Sequence, residues 1–483
     1  MKKKIIYIFS ITLGLFVTSC EKTVNVEPQN QISPTVALGT IGGYESLLNS
    51  AYVRMIDFGY WGRDMDLLGD VMADNIYTEL SVANGRYISQ NANNFNSHFS
   101  IWTTAYSEIN DVNTIISTID ANITDPASAT RKGTLKGEAL ALRANTYFDL
   151  ARIYGYEPTS VAAGKGFALS VPLRLTATAG LPDATQKPRA TVTEVYAAIE
   201  ADLNAAIALL PSGASASRTR MNKGAAYALL GKALLYEGKW AAAVTAFDNA
   251  MNPTNTGARL AGPGSYISAF KANPNTESFF EVVMNPVTQS GSTTGSNNSM
   301  YSYTHPNGYN AIPTFGGQTV SDELYALFET TDDRFKMLFK YGGTSATPPL
   351  FNWADKHSGA QGTYTDNPKI IRFADVLLMK AEALAELGSY TEAAALVVQL
   401  RTARNASITG VPTTVAIKDY IQTERRRELF FEGHRWFDLK RKATGITKPA
   451  KTGVSTLAPD DVRLLAPIPS AEVGLGLTQN PGY

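Results

Sequence analysis

The sequence predicts a mainly α-helical protein, a scaffold of tetratricopeptide-like helical pairs carrying a large loop-rich inserted subdomain. Three observations predict it. Apolar residues recur at three- and four-residue spacings through several long segments, the signature of helices with one buried face. Two segments share a helix–glycine–helix arrangement. Between them, residues 253–368 lose that periodicity and turn rich in Gly, Ser, Asn and Thr.

The elements follow in chain order. Lys2, Lys3 and Lys4 precede an apolar run from Ile5 to Val17, and Val17-Thr18-Ser19 leads into Cys20, the sole cysteine. The run is too short to span a bilayer, which takes about 20 residues, but suits a signal-peptide core. Val-Thr-Ser-Cys resembles a bacterial lipobox, so residues 1–19 read as a lipoprotein signal peptide and Cys20 as the lipid attachment site. Residues 20–34, with Pro28 and Pro34, read as the tether. An acylated Cys20 leaves no thiol for disulfides, zinc or nucleophilic catalysis.

Residues 35–252 read as an N-terminal helical region. Tyr44 to Met55 is its first expected helix, with Leu47, Leu48 and Tyr52 on one face. Phe58 to Phe99 is loop-like, with a short helix near Asp66 to Asp74. Ser100 to Ala121 is a clear helix, with Trp102, Tyr106, Ile109, Val112, Ile115 and Ile119 in register. Lys223 to Met251 fits the tetratricopeptide pattern of about 34 residues: Gly238 makes the turn, and small Gly231 and Ala243 let two helices approach around Phe247. Ile371 to Arg401 repeats the pattern with Gly388 in the turn. Leu135 to Ile153 and Thr191 to Leu210 form a further pair split by a Gly/Pro-bearing insertion, residues 154–190. Because the pairs are separated in sequence, the scaffold is expected to be interrupted by loops and not to form a continuous solenoid.

Residues 253–368 include the run Gln289 to Asn298 and a helix expected near Ser321 to Phe339. A structureless stretch of that length is unusual in a compact protein unless it is functional, which makes it the candidate ligand face. Residues 369–483 hold the last helical pair and the segment Thr423 to Arg441: Thr-Glu-Arg-Arg-Arg-Glu-Leu-Phe-Phe-Glu-Gly-His-Arg-Trp-Phe-Asp-Leu-Lys-Arg. Leu429, Phe430, Phe431, Trp436 and Phe437 must be buried, so the charges between them are expected to pair. The segment reads as architecture, not as a catalytic cluster.

That segment resembles the C-terminal signature of SusD/RagB-type outer-membrane proteins. The ending Leu465-Ala-Pro-Ile-Pro-Ser470 with Gln479-Asn-Pro-Gly-Tyr483, the Trp102, Tyr106, Ile109, Asn113 helix and the lipobox are similar to the same family. The resemblance implies a tetratricopeptide-built fold, anchoring at the outer membrane facing the cell exterior, and partnership with a SusC-like TonB-dependent barrel. It implies capture of oligosaccharides for nutrient uptake or, in RagB-type members, of peptides.

Function classes narrow from composition and motifs. Lys plus Arg and Asp plus Glu both total 43, so the positive footprint of a nucleic-acid binder is missing. The sequence holds no His-Glu-x-x-His, no Gly-x-Ser-x-Gly and no P-loop, and its four histidines are far apart. No enzyme activity, cofactor or metal is expected. Asp64, Asp66 and Asp70 near Gly69 loosely resemble a calcium loop, but Leu68 takes a ligand position and Asn75 stands where a bidentate Glu belongs. Asp70 and Asp74 are a candidate carboxylate pair for glycoside hydrolysis, a rival reading beside the peptide binder, but helix-face solvation or capping is the expected role.

Glycan binding needs flat apolar faces and a few placed polar groups. Trp102, Trp240 and Trp436 sit in helical patterns and are assigned to the core. Trp61 and Trp353 lie in polar, loop-like surroundings and are the expected platforms. Tyr60, Tyr77, Tyr301, Tyr303 and Tyr309 are possible partners, with Asn75, Arg86 and Asn307 as hydrogen-bonding groups.

Overall fold

The computed structural model describes residues 34–83, 85–164, 166–213, 217–285, 299–342 and 350–483. The leader, Cys20, the tether up to residue 33 and the run Gln289 to Asn298 lie outside the described residues.

Eleven helices carry the scaffold: α1 (Ile41–Met55), α2 (Asp64–Val71), α3 (Trp102–Asn122), α4 (Ala129–Tyr154), α5 (Val192–Leu209), α6 (Lys223–Tyr236), α7 (Trp240–Met251), α8 (Phe373–Glu386), α9 (Tyr390–Ala403), α10 (Ile417–Leu429) and α11 (Arg435–Arg441). Local sequence starts several of them. Thr191 and Glu194 close a capping box on α5, and the Asn222 side chain accepts from Ala225 N–H at the head of α6, satisfying donors that a helix end leaves bare.

Each long helix packs on the next: α1 on α3, α3 on α4, α4 on α5, α5 on α6, α6 on α7, α7 on α8, and α8 on both α9 and α10. The stack therefore runs unbroken in space across the interruption between α7 and α8, as expected of a helical scaffold with a loop-rich region inserted into it. The chain leaves the stack after Met251 and returns at Phe373 onto the face it left. Gly231 explains the tight α6–α7 crossing, since a Cβ there would stand 2.5 Å from the Phe247 ring. Gly238 and Gly388 make the two turns at φ +75 and +85, a region that glycine enters without penalty.

The insertion between α4 and α5 is strapped down by its main chain. Tyr106 Oη donates to Pro172 O, Asn113 Nδ2 to Arg174 O and Thr176 O, Arg143 Nη1 to Leu175 O, and Asn110 Oδ1 accepts from Thr178 N–H. Arg143 is held in turn by Asp202 of α5 through two bonds of 2.7 and 2.6 Å. Helical polar side chains thus saturate a loop backbone that would otherwise be buried unpaired. Arg189 does the same for the C-terminus, donating to Thr478 O and Asn480 Oδ1 as well as to Ser170 O and Tyr154 O.

Residues 253–368 differ from expectation in one respect. The helix expected near Ser321 to Phe339 is only Asp322–Tyr325, followed by a 3-10 turn at Asp333–Met337. Asp332 caps the start of that turn, accepting from Arg334 N–H and binding the Arg334 guanidinium. The chain then enters β-structure. Strands β1 (Ile76–Thr78), β2 (Ser278–Glu281), β3 (Gln318–Val320), β4 (Leu338–Gly342), β5 (Leu350–Ala354) and β6 (Lys369–Arg372) form three antiparallel pairs, β1–β3, β2–β6 and β4–β5.

An ionic core joins these strands to the helices. Glu428 of α10 meets Arg334, Arg372 of β6 and Arg404 beyond α9, all fully or almost fully buried. Glu277 bridges Arg372 and Arg404, and Glu432 binds Arg372 and Lys356. Burial alone pushes carboxyls towards neutrality. Here the three arginines overcome it and hold Glu428 far below the usual range, and Arg372 with Lys356 holds Glu432 down to about 2. The charges interleaved in Thr423 to Arg441 pair around the buried Phe430, Phe431, Trp436 and Phe437. One contact had no sequence signal: Gly69 of α2 meets Gly433, where a Cβ on either would lie 2.3 or 2.0 Å from a carbonyl oxygen of the other segment.

Candidate functional site

The β4–β5 hairpin builds an aromatic layer. Phe339 faces Trp353 across the ladder and Tyr341 faces Phe351, so period-two alternation puts all four rings on one side. Tyr309 stacks on Phe339 with ring centroids 4.7 Å apart and meets Tyr341 edge-on at 5.7 Å. Trp353 is fully buried, with Nε1 donating to Tyr341 O, and Tyr341 is 40% exposed. Tyr341 is therefore the exposed ring, Tyr309 and Phe339 are half-buried beside it, and Trp353 is the buried member of the layer.

A strained turn presents Tyr309. Gly308, Asn310 and Ala311 all have positive φ, at +80, +52 and +61, and the left-handed conformation costs a residue such as Ala311 about 1–2 kcal/mol. Strain of this kind is held only where surrounding contacts over-determine it. Here Asn307 Oδ1 accepts from Thr314 N–H, and Thr314 Oγ1 donates to His305 O. Behind the turn, His305 stacks on Tyr301 at 4.1 Å, and its Nε2 lies 3.1 Å from Asp355 Oδ1, which Lys271 also binds through the other carboxylate oxygen. Asn307 is exposed.

The Arg86 guanidinium sits 3.3 Å from the centre of the Phe315 ring, which packs on Tyr303 at 5.6 Å. Among the described residues Arg86 has no carboxylate partner within 4 Å. Tyr303 meets Tyr87 edge-on, and Tyr87 Oη donates to Asp64.

The other expected site residues are buried or half-buried. Trp61, 4% exposed, and Tyr60, fully buried, both donate to Asp149 Oδ2, at 2.8 and 2.7 Å, and so fasten a loop to α4. Neither offers a face to a sugar. Trp353 is likewise no platform, because Phe339, Gly316 and the hairpin cover it. Asn75 is buried, donating to Asp70 and accepting from Arg426, and Tyr301 and Tyr303 are 4% exposed each. Tyr77 is half-buried beneath Lys451. Asp66 and Asp70, weighed as calcium ligands, are buried within α2, where burial pushes Asp70 up to about 7. Tyr341, Phe339 and Phe315 were not singled out from sequence. The available signal was the alternation Phe339-x-Tyr341 and Phe351-x-Trp353, of which the helix expected near Ser321 to Phe339 took in only Phe339.

Chemically these residues offer stacking faces, one exposed amide at Asn307 and one cation over a ring face at Arg86. Among these described residues there is no opposed pair of accessible carboxylates of the kind glycoside hydrolysis uses. Asp355 belongs to His305 and Lys271.

Two family models match the chain. One, a SusD-like model described as "Starch-binding associating with outer membrane", matches residues 26–235, and the SusD family model matches residues 339–483. SusD-like protein P38 of Formosa agariphila is 26% identical and covers 92% of both chains. SusD-like protein P2 of the same organism is 26% identical, with 98% of both covered. A SusD superfamily structure from Bacteroides thetaiotaomicron shares the fold with a TM-score of 0.79 at 22% identity, over 92% of this chain and 100% of that one. A structure named as a laminarin-binding SusD-like protein aligns with a TM-score of 0.71 at 25% identity, over 91% and 99%.

Proposed function

The chain belongs to the SusD/RagB-like family of outer-membrane-associated carbohydrate-binding proteins, and from that premise we propose that it is a cell-surface lipoprotein that captures oligosaccharides without cleaving them. The observation that carries the reading is the face of half-buried Tyr309 and exposed Tyr341, backed by Phe339 and Trp353. Sugar rings expose C–H faces that pack on such rings, while the Asn307 amide and the Arg86 guanidinium are placed for hydroxyl groups. The turn of Gly308 to Ala311 holds Tyr309 before any ligand arrives, which lowers the entropic cost of binding.

Cys20 is the proposed lipid anchor, and a SusC-like TonB-dependent barrel is the proposed recipient of the bound glycan. The laminarin-binding relative makes neutral β-glucan the first ligand class to test. Titration calorimetry of the purified protein against neutral polysaccharides, with reducing ends followed in the same samples, tests the reading. Saturable heat without new reducing ends is expected. Turnover, or silence against every glycan tried, contradicts it.

A further inference from the structure

A second concavity lies on the helical scaffold, apart from the hairpin. It is a cleft of about 410 Å³ between α3, the strapped segment 172–187 and the C-terminal residues Glu472 and Leu477. That size is within the ~300–1,000 Å³ of small-ligand pockets. The half-buried ring of Tyr106 lines it, with Trp102 packed against Tyr106 at 5.0 Å.

The charges in this cleft are unequal. Arg54 is bound to Asp111 at 2.6 Å, and Glu472 accepts from Trp102 Nε1 at 3.3 Å. Arg174 and Lys187 also line the cleft, and among the described residues neither has a carboxylate within 4 Å. Arg174 is fixed from behind. Its N–H donates to Tyr147 Oη at 2.6 Å and its carbonyl accepts from Asn113 at 2.8 Å, while Nη2 donates to Thr185 O. The remaining edge of a planar guanidinium is the natural partner of a carboxylate. Asn110 and Gln186 use one end of each amide inside the protein, at Thr178 N–H and Glu472 O, and keep the other for hydroxyl groups.

We propose that this cleft is a second ligand site, taking a short saccharide that carries a uronate carboxylate. Arg174 and Lys187 hold the carboxylate, Tyr106 takes a ring face, and the two amides take hydroxyls. An extended peptide fits less well, because the backbone of 172–178 is already engaged by α3 and α4 and offers no free edge for strand pairing. The proposal does not rest on the Tyr309 platform.

The test is calorimetry of the purified protein with galacturonate, glucuronate, mannuronate and guluronate disaccharides and their uncharged counterparts. At least one uronate is expected to bind while its neutral counterpart does not. Arg174→Gln and Lys187→Gln are each expected to weaken it about tenfold, the scale of a lost hydrogen bond to a charged group. Tyr341→Ala is expected to leave it unchanged, which separates this site from the hairpin platform. Binding of no uronate overturns the proposal, as does loss on Tyr341→Ala instead of Arg174→Gln. Equal binding of tetraglutamate overturns it in favour of an acidic peptide. Unaltered unfolding temperatures of the two cleft variants exclude a folding artefact.

Discussion

Tyr309 lies nearly flat on Phe339, their planes 23° apart, and Phe339 in turn stands directly across the ladder from Trp353. The aromatic layer is thus two deep, and its outer and inner members are expected to respond differently to truncation. Tyr309→Ala and Tyr341→Ala should weaken glycan binding while leaving the unfolding temperature nearly unchanged. Trp353→Ala should cost about 3–5 kcal/mol of stability, the usual range for a buried Trp or Phe. Calorimetry beside thermal denaturation separates the two effects.

Glu428 is the shared carboxylate of Arg334, Arg372 and Arg404. Removing it leaves buried guanidinium charge uncompensated, so Glu428→Ala should destabilise by about 3–5 kcal/mol. Urea denaturation measures the loss. A shift within error of wild type would mean that the network contributes little.

Acid should unfold the protein in two overlapping stages. Burial holds His98, His357 and His434 down to about 3, against 6.5 for a free imidazole. The unfolded chain therefore takes up these protons first, and their contribution, complete above pH 6.5, is lost as pH falls towards 3. Glu432, held down to about 2 against 4.5, adds its loss below pH 4.5. His98→Phe, at a ring that packs edge-on against Trp436, should flatten the stability slope by about 1.4 kcal/mol per pH unit in the upper window. Denaturant titrations at a series of pH values read that slope directly.

The two close glycine contacts should differ in repairability. At Gly231 an added methyl meets the Phe247 ring, and such overpacking costs about 1–3 kcal/mol. Phe247→Leu in the same chain should recover part of it. At Gly433 the methyl meets main chain, Met65 O at 2.0 Å, at φ +74. No side-chain change relieves that clash, so Gly433→Ala should give little folded protein in an expression and circular dichroism assay.

These contrasts also show what the sequence carried. Gly231, Gly238, Ala243 and Phe247 announced the α6–α7 pair because a close helix crossing needs small residues at fixed offsets, and that logic is local. The charges of Thr423 to Arg441 announced a buried network because their apolar neighbours must be buried. The partners Glu277, Arg334, Lys356 and Arg372 come from segments distant in sequence and carried no local mark. Trp61 and Trp353 misled for the same reason. Polar neighbours in sequence suggested exposure, but Asp149 and the β4–β5 ladder, remote or unrecognised, bury them. Tyr309 and Asn307 were legible as aromatic and amide in a Gly-bearing turn. Tyr341 was not, because the register that lifts it beside Tyr309 exists only once the hairpin closes.

The most direct test of the account is titration of the purified wild-type protein and of Tyr309→Ala/Tyr341→Ala with laminarin and other neutral glycans. The account predicts saturable binding by the wild type, no release of reducing ends, and loss of binding by a double variant that melts like the wild type. Undiminished affinity in that folded double variant would contradict the assignment of the hairpin face as the glycan site.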